Sequence, residues 1–486
     1  MTELILGPII GGLSPNSAYL WGRADGEATL HGWIGTKNDL SDAQLIVSTE
    51  PLTGEAGYAG VVSLNGLTPD TPYHYALTLD DIPPDHSIKS RGSFTTFPPD
   101  SKRCSFSFVF GSCFWPREKT PGQIFTQIDK LRAANTKNDV EALRFILMLG
   151  DQIYADGSKH NGLKYVAQTV EDYRDVYEHT WSKQPFQKLL KNLPAFMTLD
   201  DHEVDNDWTW TDENRTQAQI SKLSRLLHPK SEGELDQTRV QNALQAYWEH
   251  QNMHVDHDAY IALLDYDRNE KQYKLTPKDQ TSYAYTFTYG AAAFFVMDTR
   301  TRRIRKENGE NSILSDGQWE ALKKWLLDVK DKYPVKFLIS SGALLYRMWF
   351  DCLHDRWSGF PEDRKKLLKM LANNAIEGVY LLVGDLHSAH KISADLIGPE
   401  GRLIPLWEFC SSPFEQAPNK PALLRFLYRP LRDDPVKNQK LHNIYTRYNF
   451  GLVRVDFTNQ ENPQVHFEVR GPDGRKPKKW KTIMGG

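Results

Sequence analysis

Long apolar runs are missing from this 486-residue chain: no stretch of about 18 apolar residues occurs, so no segment reads as a membrane-spanning helix. Charge of one sign is missing as well. Lys and Arg together number 59 against 62 Asp and Glu, and a net charge of −3 gives no basic surface for nucleic acid. Cysteine is scarce, with four residues scattered at 104, 113, 352 and 410, which excludes a disulfide framework and reads as buried thiols, Cys113 set apart. The opening residues, MTELILGPIIGGLSPNSAYLWGR, lack the basic start, apolar stretch and small-residue cleavage site of a signal peptide. The expectation is a cytoplasmic protein if the sequence is full length, and a secreted or periplasmic one if it has been trimmed.

What is present falls into two patterns. Residues 1–98 carry short alternating runs (17–23, 28–34, 58–64, 73–79, 93–96) with turn residues between them, the spacing of a β-sandwich. Within it, LTPDTPYHY (67–75) has the form of the tyrosine corner of immunoglobulin and fibronectin-type modules. Phe97-Pro98-Pro99-Asp100-Ser101 reads as a linker. Beyond it, strand and helix patterns alternate: strands at 105–110, 144–149, 196–199, 292–297, 335–340 and 378–383, helices at 121–134 and 242–253, and a long helical region at 165–191. Ser315 opens a helix running to Asp328, with Gln318 at the capping-box position. A catalytic unit over 103–472 and a solvated basic tail over 473–486 complete the expected organisation.

The stretch FILMLGDQIYAD (145–156) concentrates the chemistry. Phe145–Leu149 is apolar without alternation, as in a strand covered on both faces. Gly150 turns the chain and Asp151 follows, at the strand end where α/β sheets place ligands. Tyr154 can turn its phenol to the same point, and a carboxylate beside a phenol suits a hard cation such as Fe(III), Ca²⁺ or Mg²⁺. Three other strand ends deliver comparable groups: Cys113, Asp201 with His202, and Asp385 with His387. Any one would serve as a turn cap. Together they point to a two-metal centre with Asp151 as its bridge, since buried carboxylates need a partner charge.

These blocks resemble a known family. GDQIY (150–154), DDHE (200–203) and GDLH (384–387) are similar to the motifs of the metallophosphoesterase superfamily, and the Tyr of the first resembles that of purple acid phosphatases. The Gly111-Ser112-Cys113 and Asp-Asp-His-Glu blocks resemble more narrowly the PhoD-like alkaline phosphatases. Further matching blocks follow in order: Trp181 with Pro194-Ala195-Phe196, Asp298-Thr299-Arg300, Gly317-Gln318-Trp319, Trp357 to Arg364, and Trp407-Glu408-Phe409.

The resemblance implies an α/β fold, a metallophosphoesterase-type layered α/β sandwich with an N-terminal immunoglobulin- or fibronectin-like β-sandwich. It also implies a metal-dependent phosphoric ester hydrolase acting on a small-molecule phosphate ester. Carried over by position, Cys113 and Tyr154 would bind Fe(III), Asp151 would bridge to a divalent metal, Ca²⁺ in this family, and Asp385 and His387 would complete the shell. Asp201 stands where the superfamily has an Asn that binds metal and phosphate. His202 would protonate the leaving group, and Asp205 and Asn206 extend the block toward the second metal. Arg300 is a candidate to hold a phosphate oxygen bidentately, a buried ion pair being the equal alternative. From another class, a non-catalytic phosphate-binding or scaffold member would keep the fold with an inactive centre. His254-x-Asp256, in a polar region off any strand, is a weak match to a facial triad, and His390 reads either as a support behind the ligands or as packing.

Overall fold

The unbroken apolar run at 145–149 follows from where its alternate side chains go. In the computed structural model, Phe145, Leu147 and Leu149 enter one buried cluster while Ile146 and Met148 enter another. Both faces are covered, so no polar phase survives in the sequence. The structure describes residues 2–485 except 80, 82, 86, 117–118, 120, 135–141, 213–214, 216, 221–233, 256–263, 268–271, 276–281, 307–310, 349–355, 420–426, 433–434, 479 and 481–483, with the backbone alone at 234, 264–267, 272–275 and 484–485.

In chain order, the strands that build the frame are β1 (Leu4–Gly11), β2 (Ser17–Ala24), β3 (His31–Gly35), β4 (Gln44–Ser48), β5 (Ala59–Asn65), β6 (Pro72–Thr78) and β7 (Arg91–Thr95). Then come β8 (Phe106–Gly111), β9 (Leu143–Leu149), β10 (Ala195–Thr198), β11 (Tyr285–Tyr289), β12 (Ala292–Val296), β13 (Val335–Ser340) and β14 (Val379–Val383). The last are β15 (Ala389–Ile397), β16 (Leu403–Cys410), β17 (Val436–Tyr445), β18 (Phe450–Asp456) and β19 (Gln464–Arg470). One sheet has the order β10-β9-β8-β18-β19, closed by Met484–Gly485; the other runs β11-β12-β13-β14-β16-β15-β17. Strands β8, β9 and β10 of the first run parallel, as do β12, β13, β14 and β16 of the second, and the remaining pairings are antiparallel.

Four layers result. Helices α1 (Gln123–Ala134), α2 (Val170–Trp181) and α3 (Gln184–Leu190) cover the outer face of the first sheet through Ile146, Met148 and Met197. Helices α5 (Asp316–Val329) and α6 (Pro361–Asn373) cover the second through Phe295, Leu338 and Leu381, and α4 (Gln237–Tyr247) joins the first group. Between the sheets lies a stack of rings: Phe108 on Phe145 at 4.8 Å, Phe145 edge-on to Phe294 at 5.5 Å, and Phe294 on Phe337 at 4.8 Å. Because Phe145 touches both sheets, Phe145→Ala is expected to cost about 3–5 kcal/mol of unfolding free energy, the range for a buried ring. Urea denaturation checks this, and a loss below about 1 kcal/mol would contradict a shared inter-sheet core.

The first 95 residues form two antiparallel sheets, β1-β2-β5 and β4-β3-β6-β7. Their interior is not sealed off. Leu20, Leu64 and Leu77 belong to the same buried cluster as Phe108 and Phe337. Tyr73 accepts a hydrogen bond from the Thr68 N–H at 3.1 Å, whereas Tyr75 donates across to the Lys191 carbonyl at 2.9 Å.

Some elements differ from expectation for local reasons. The helical region at 165–191 is two helices. Thr169 and Asp172 form a capping box that opens α2 only at Val170, and Pro185 in the first turn of α3 forces a break at Ser182-Lys183. The helix expected at 242–253 starts at Gln237 and ends in a π turn, Trp248–Asn252. Ser315 accepts the Gln318 N–H as expected, but the Gln318 side chain turns to the Asp298 backbone, bonding both its N–H and its carbonyl. The tail expected over 473–486 falls partly outside the described residues, and Cys352 and Asp256 lie outside them. Among the described residues no helix is long and apolar enough to cross a membrane.

Candidate metal centre

The site assembles because strand ends of both sheets converge, and two glycines let them. A Cβ at Gly150 would lie 2.4 Å from the Asp200 Cβ, and one at Gly384 would lie 2.5 Å from the Ser112 hydroxyl and 3.1 Å from the Leu149 carbonyl. No side chain fits either place, which is why Gly precedes Asp in both blocks. At the strand ends, Cys113, Asp151, Asp385 and His387 all take left-handed backbone conformations, with φ of 62°, 55°, 63° and 46°. Such strain in non-glycine residues persists only where the surroundings enforce it, and it concentrates here at four expected site residues.

Asp151 lies at the centre. One carboxylate oxygen accepts from the Cys113 thiol and from the Tyr154 hydroxyl, each at 3.2 Å, and the other accepts from the His202 N–H at 3.4 Å. Two donor sets share this carboxylate: Cys113, Asp151 and His387, and Asp151, Asp201 and His202, with the ligand atoms of each set within 4.8 Å of one another. Cys113, Asp151 and Tyr154 are buried, at 0%, 1% and 2% exposure. Burial pushes the pKa of all three well up, and the mutual repulsion of neighbouring acids adds to it. Among the described residues no Lys or Arg pairs with Asp151. A thiol, a phenol and a carboxylate buried together, with the neighbouring His202 as their nearest protein charge and no Lys or Arg paired to them among the described residues, fit a metal ion as the added positive charge.

His202 is fixed by a second carboxylate. Its Nδ1 lies 2.9 Å from both oxygens of Asp156, and its ring packs on Tyr154 at 4.1 Å. Burial alone would lower the His202 pKa, but Asp156, Asp201 and Asp151 outweigh it and push it well up. Glu203 ties the two strand ends together. It accepts backbone N–H bonds from Asp151 (3.1 Å), Gln152 (2.8 Å) and Asp200 (2.9 Å), and a fourth from the Gln251 amide at 2.9 Å. A cavity of about 460 Å³ opens beside the centre, walled by Trp115, Tyr154, Asp156, His202, Asn206 and His387 among others.

A family model described as PhoD-like phosphatase matches residues 113–467, which takes in every residue of the two donor sets. The chain belongs to the PhoD-like phosphatase family. It is 22% identical over 354 residues to alkaline phosphatase D of Bacillus subtilis (strain 168), a match covering 65% of this chain and 53% of that protein. The chain thus matches about half the length of this curated relative. The structure of PhoD superposes with a TM-score of 0.67 at 18% identity, covering 98% of this chain and 92% of that one. A purple acid phosphatase from yellow lupin (Lupinus luteus) seeds does so with 0.59 at 14% identity, covering 98% and 73%. At these identities the likenesses show a shared mixed α/β fold.

Within the PhoD-like framework, the structure brings Cys113, Asp151, Tyr154, Asp201, His202 and His387 together. Asp385 falls outside both donor sets. Its N–H donates to Ser112, and its carboxylate lies 3.7 Å from the Arg356 guanidinium, although its charge still acts on Cys113. Arg300, expected either to hold a phosphate or to form a buried ion pair, forms the ion pair. It is 1% exposed, pairs with Asp200, lies 3.7 Å from Asp201 and is not among the residues that line the cavity. Asp205 lines the cavity but is bound to Arg239 at 2.7 Å, and burial raises its pKa to about 6. His390 pairs with Glu408 at 2.8 Å in the core, outside both donor sets.

Several residues of the site belong to none of the motifs. Asp156 stands two positions past Tyr154, and a second carboxylate so close to the first is a usable signal. Trp115 stacks on Tyr154 at 4.8 Å with planes 7° apart, and Ser412 donates to the Cys113 sulfur at 3.2 Å. Neither has a sequence signal, because each reaches the site only through the packing of one loop on another.

Proposed function

We propose that this PhoD-like phosphatase hydrolyses small phosphate esters with a pair of metal ions centred on Asp151. The observation that carries this reading is the shared carboxylate, which belongs to both donor sets at once. On the side of Cys113, Tyr154 and His387 the donors suit Fe(III); on the side of Asp201 the oxygen donors suit a divalent ion such as Ca²⁺. Bound there, the ions would supply an activated water near neutral pH and positive charge for the phosphoryl oxygens. The chain's own residues do the rest. His202, which lines the cavity with its Nδ1 held by Asp156, gives the proton of its other ring nitrogen to the departing alkoxide oxygen. Asp156 keeps the imidazolium stable until the transfer and fixes the ring's angle. Trp115 covers Tyr154 and limits water beside the phenol. The N-terminal sheets fit an immunoglobulin-like sandwich attached to a catalytic unit.

The test is metal analysis of the purified chain together with assays on p-nitrophenyl phosphate and bis(p-nitrophenyl) phosphate. Turnover of at least one, lost on chelation and restored by metal, is expected. Metal-loaded protein inert toward both would overturn the reading. A Tyr154 phenolate on Fe(III) further implies a visible charge-transfer band that Tyr154→Phe removes; a colourless, iron-free, fully active enzyme would reject the iron.

Asp156 gives a pH prediction whose sign follows from its charge. It raises the His202 pKa, so Asp156→Asn lowers it. The acid form needed for proton donation is then lost at lower pH, and the alkaline limb of the kcat profile moves down. An unmoved limb would show that His202 does not titrate there.

A further inference from the structure

The π turn Trp248–Asn252 stands between the N-terminal sheets and the metal-carrying strand ends, and its side chains face both ways. π turns insert an extra residue into a helix and recur at functional sites. Toward the N-terminal sheets, the Trp21 indole N–H donates to the Glu249 carbonyl at 2.7 Å. The Glu249 carboxylate holds Arg174 and Gln245, and both also donate to the Glu55 carbonyl, at 3.3 and 3.1 Å. Toward the site, the Gln251 amide donates to the Tyr177 hydroxyl and to Glu203, each at 2.9 Å. Glu203 in turn holds the N–H groups of Asp151, Gln152 and Asp200. Glu203, Glu249 and Gln251 are fully buried, so no water would replace a lost bond cheaply.

We propose that the N-terminal β unit sets the position of the Asp151 carboxylate through this turn, with Trp21 and Gln251 as positioning residues acting by way of Glu203. The reason is the number of donors on one buried carboxylate. Glu203 has four in fixed directions, and three of them are backbone groups of the two strand ends that carry Asp151, Asp201 and His202. Removing the Gln251 donor lets Glu203 rotate toward those that remain, and the strand ends move with it. Groups that orient ligands from behind typically change metal affinity or activity by about 10–100-fold when mutated. The proposal rests on the hydrolase reading for its kinetic measure but not for its metal-affinity measure.

The experiment uses the full chain with Gln251→Leu, Trp21→Phe and the double variant. Metal affinity is measured by chelator competition, kcat and KM on p-nitrophenyl phosphate, and folding by thermal melting. Gln251→Leu is expected to weaken metal binding and lower kcat by about tenfold or more, with KM within about twofold. Trp21→Phe, which removes the indole N–H and keeps a ring, is expected to move both measures in the same direction by a smaller factor. The double variant is expected to be no worse than Gln251→Leu, because both changes act on one path. Single variants that melt lower yet keep wild-type metal affinity and kcat would show a merely structural contact and overturn the proposal. Losses that multiply in the double variant would overturn the shared path. A wild-type chain that hydrolyses nothing defeats the hydrolase reading alone, and the affinity measurements still decide this one.

Discussion

Asp151→Asn is expected to abolish hydrolysis of phosphate esters, by about 10³-fold or more, while leaving the chain folded. Asparagine has the shape of aspartate, so the packing of a residue only 1% exposed is kept. What is lost is the charge and the ability of one oxygen pair to face two ions. Each donor set would then be down to two anionic or imidazole ligands, and the metal content is expected to fall below that of the wild type. The folded state should not suffer in the metal-free protein. Burial and the neighbouring acids already make the Asp151 charge unfavourable there, and a neutral amide removes that cost. Turnover, metal content and melting temperature measured on the same preparation check all three statements. Near-normal turnover with a full metal complement would remove Asp151 from the centre of the mechanism.

His202→Ala should cost about 10²–10⁴-fold in kcat, but only for substrates whose leaving group needs a proton. An alkyl phosphate leaves as a strongly basic alkoxide and depends on the acid, whereas p-nitrophenolate departs readily without one. The expected signature is therefore a large loss on the alkyl ester and a small one on the nitrophenyl ester. Equal losses on both would assign His202 to metal binding instead, a role its membership of the second donor set also permits. The Asp156→Asn variant separates these further, because it alters the imidazole's proton affinity without removing the ring.

How far the fold could be read from sequence follows from what each signal measures. Strands covered on both faces were legible because a short apolar run, unbroken at 145–149 and interrupted only by Lys336 before Ser340 at 335–340, fits a doubly covered strand and is too short for a buried helix. Accordingly β13 occupies the expected residues, 335–340. Helix ends were legible where a side chain caps them, as at Ser315, and failed where two helices abut. The break at Ser182-Lys183 depends on where Pro185 falls relative to a helix start, which periodicity does not report. The π turn after Tyr247 was invisible, since an extra residue in a helix is selected by the contacts on either side of it, here Glu249 and Gln251.

The same division runs through the site. The sequence by itself determined which chemistry is carried at which strand ends. Gly150-Asp151, Asp200–Glu203 and Gly384–His387 announce themselves because glycine, acid and imidazole must stand at fixed offsets from the end of a strand. Cys113 and Tyr154 could be named alongside them for their donor atoms. Only the tertiary structure decided which of these groups share a space. It joined His387 to Cys113 and Asp151, turned Asp385 toward Arg356, buried Arg300 against Asp200, and set Asp156 on His202. The physical reason is that a motif fixes where a side chain leaves the backbone. Which partner it then meets depends on the angle between sheets packed by rings more than a hundred residues apart, such as Phe145 and Phe294.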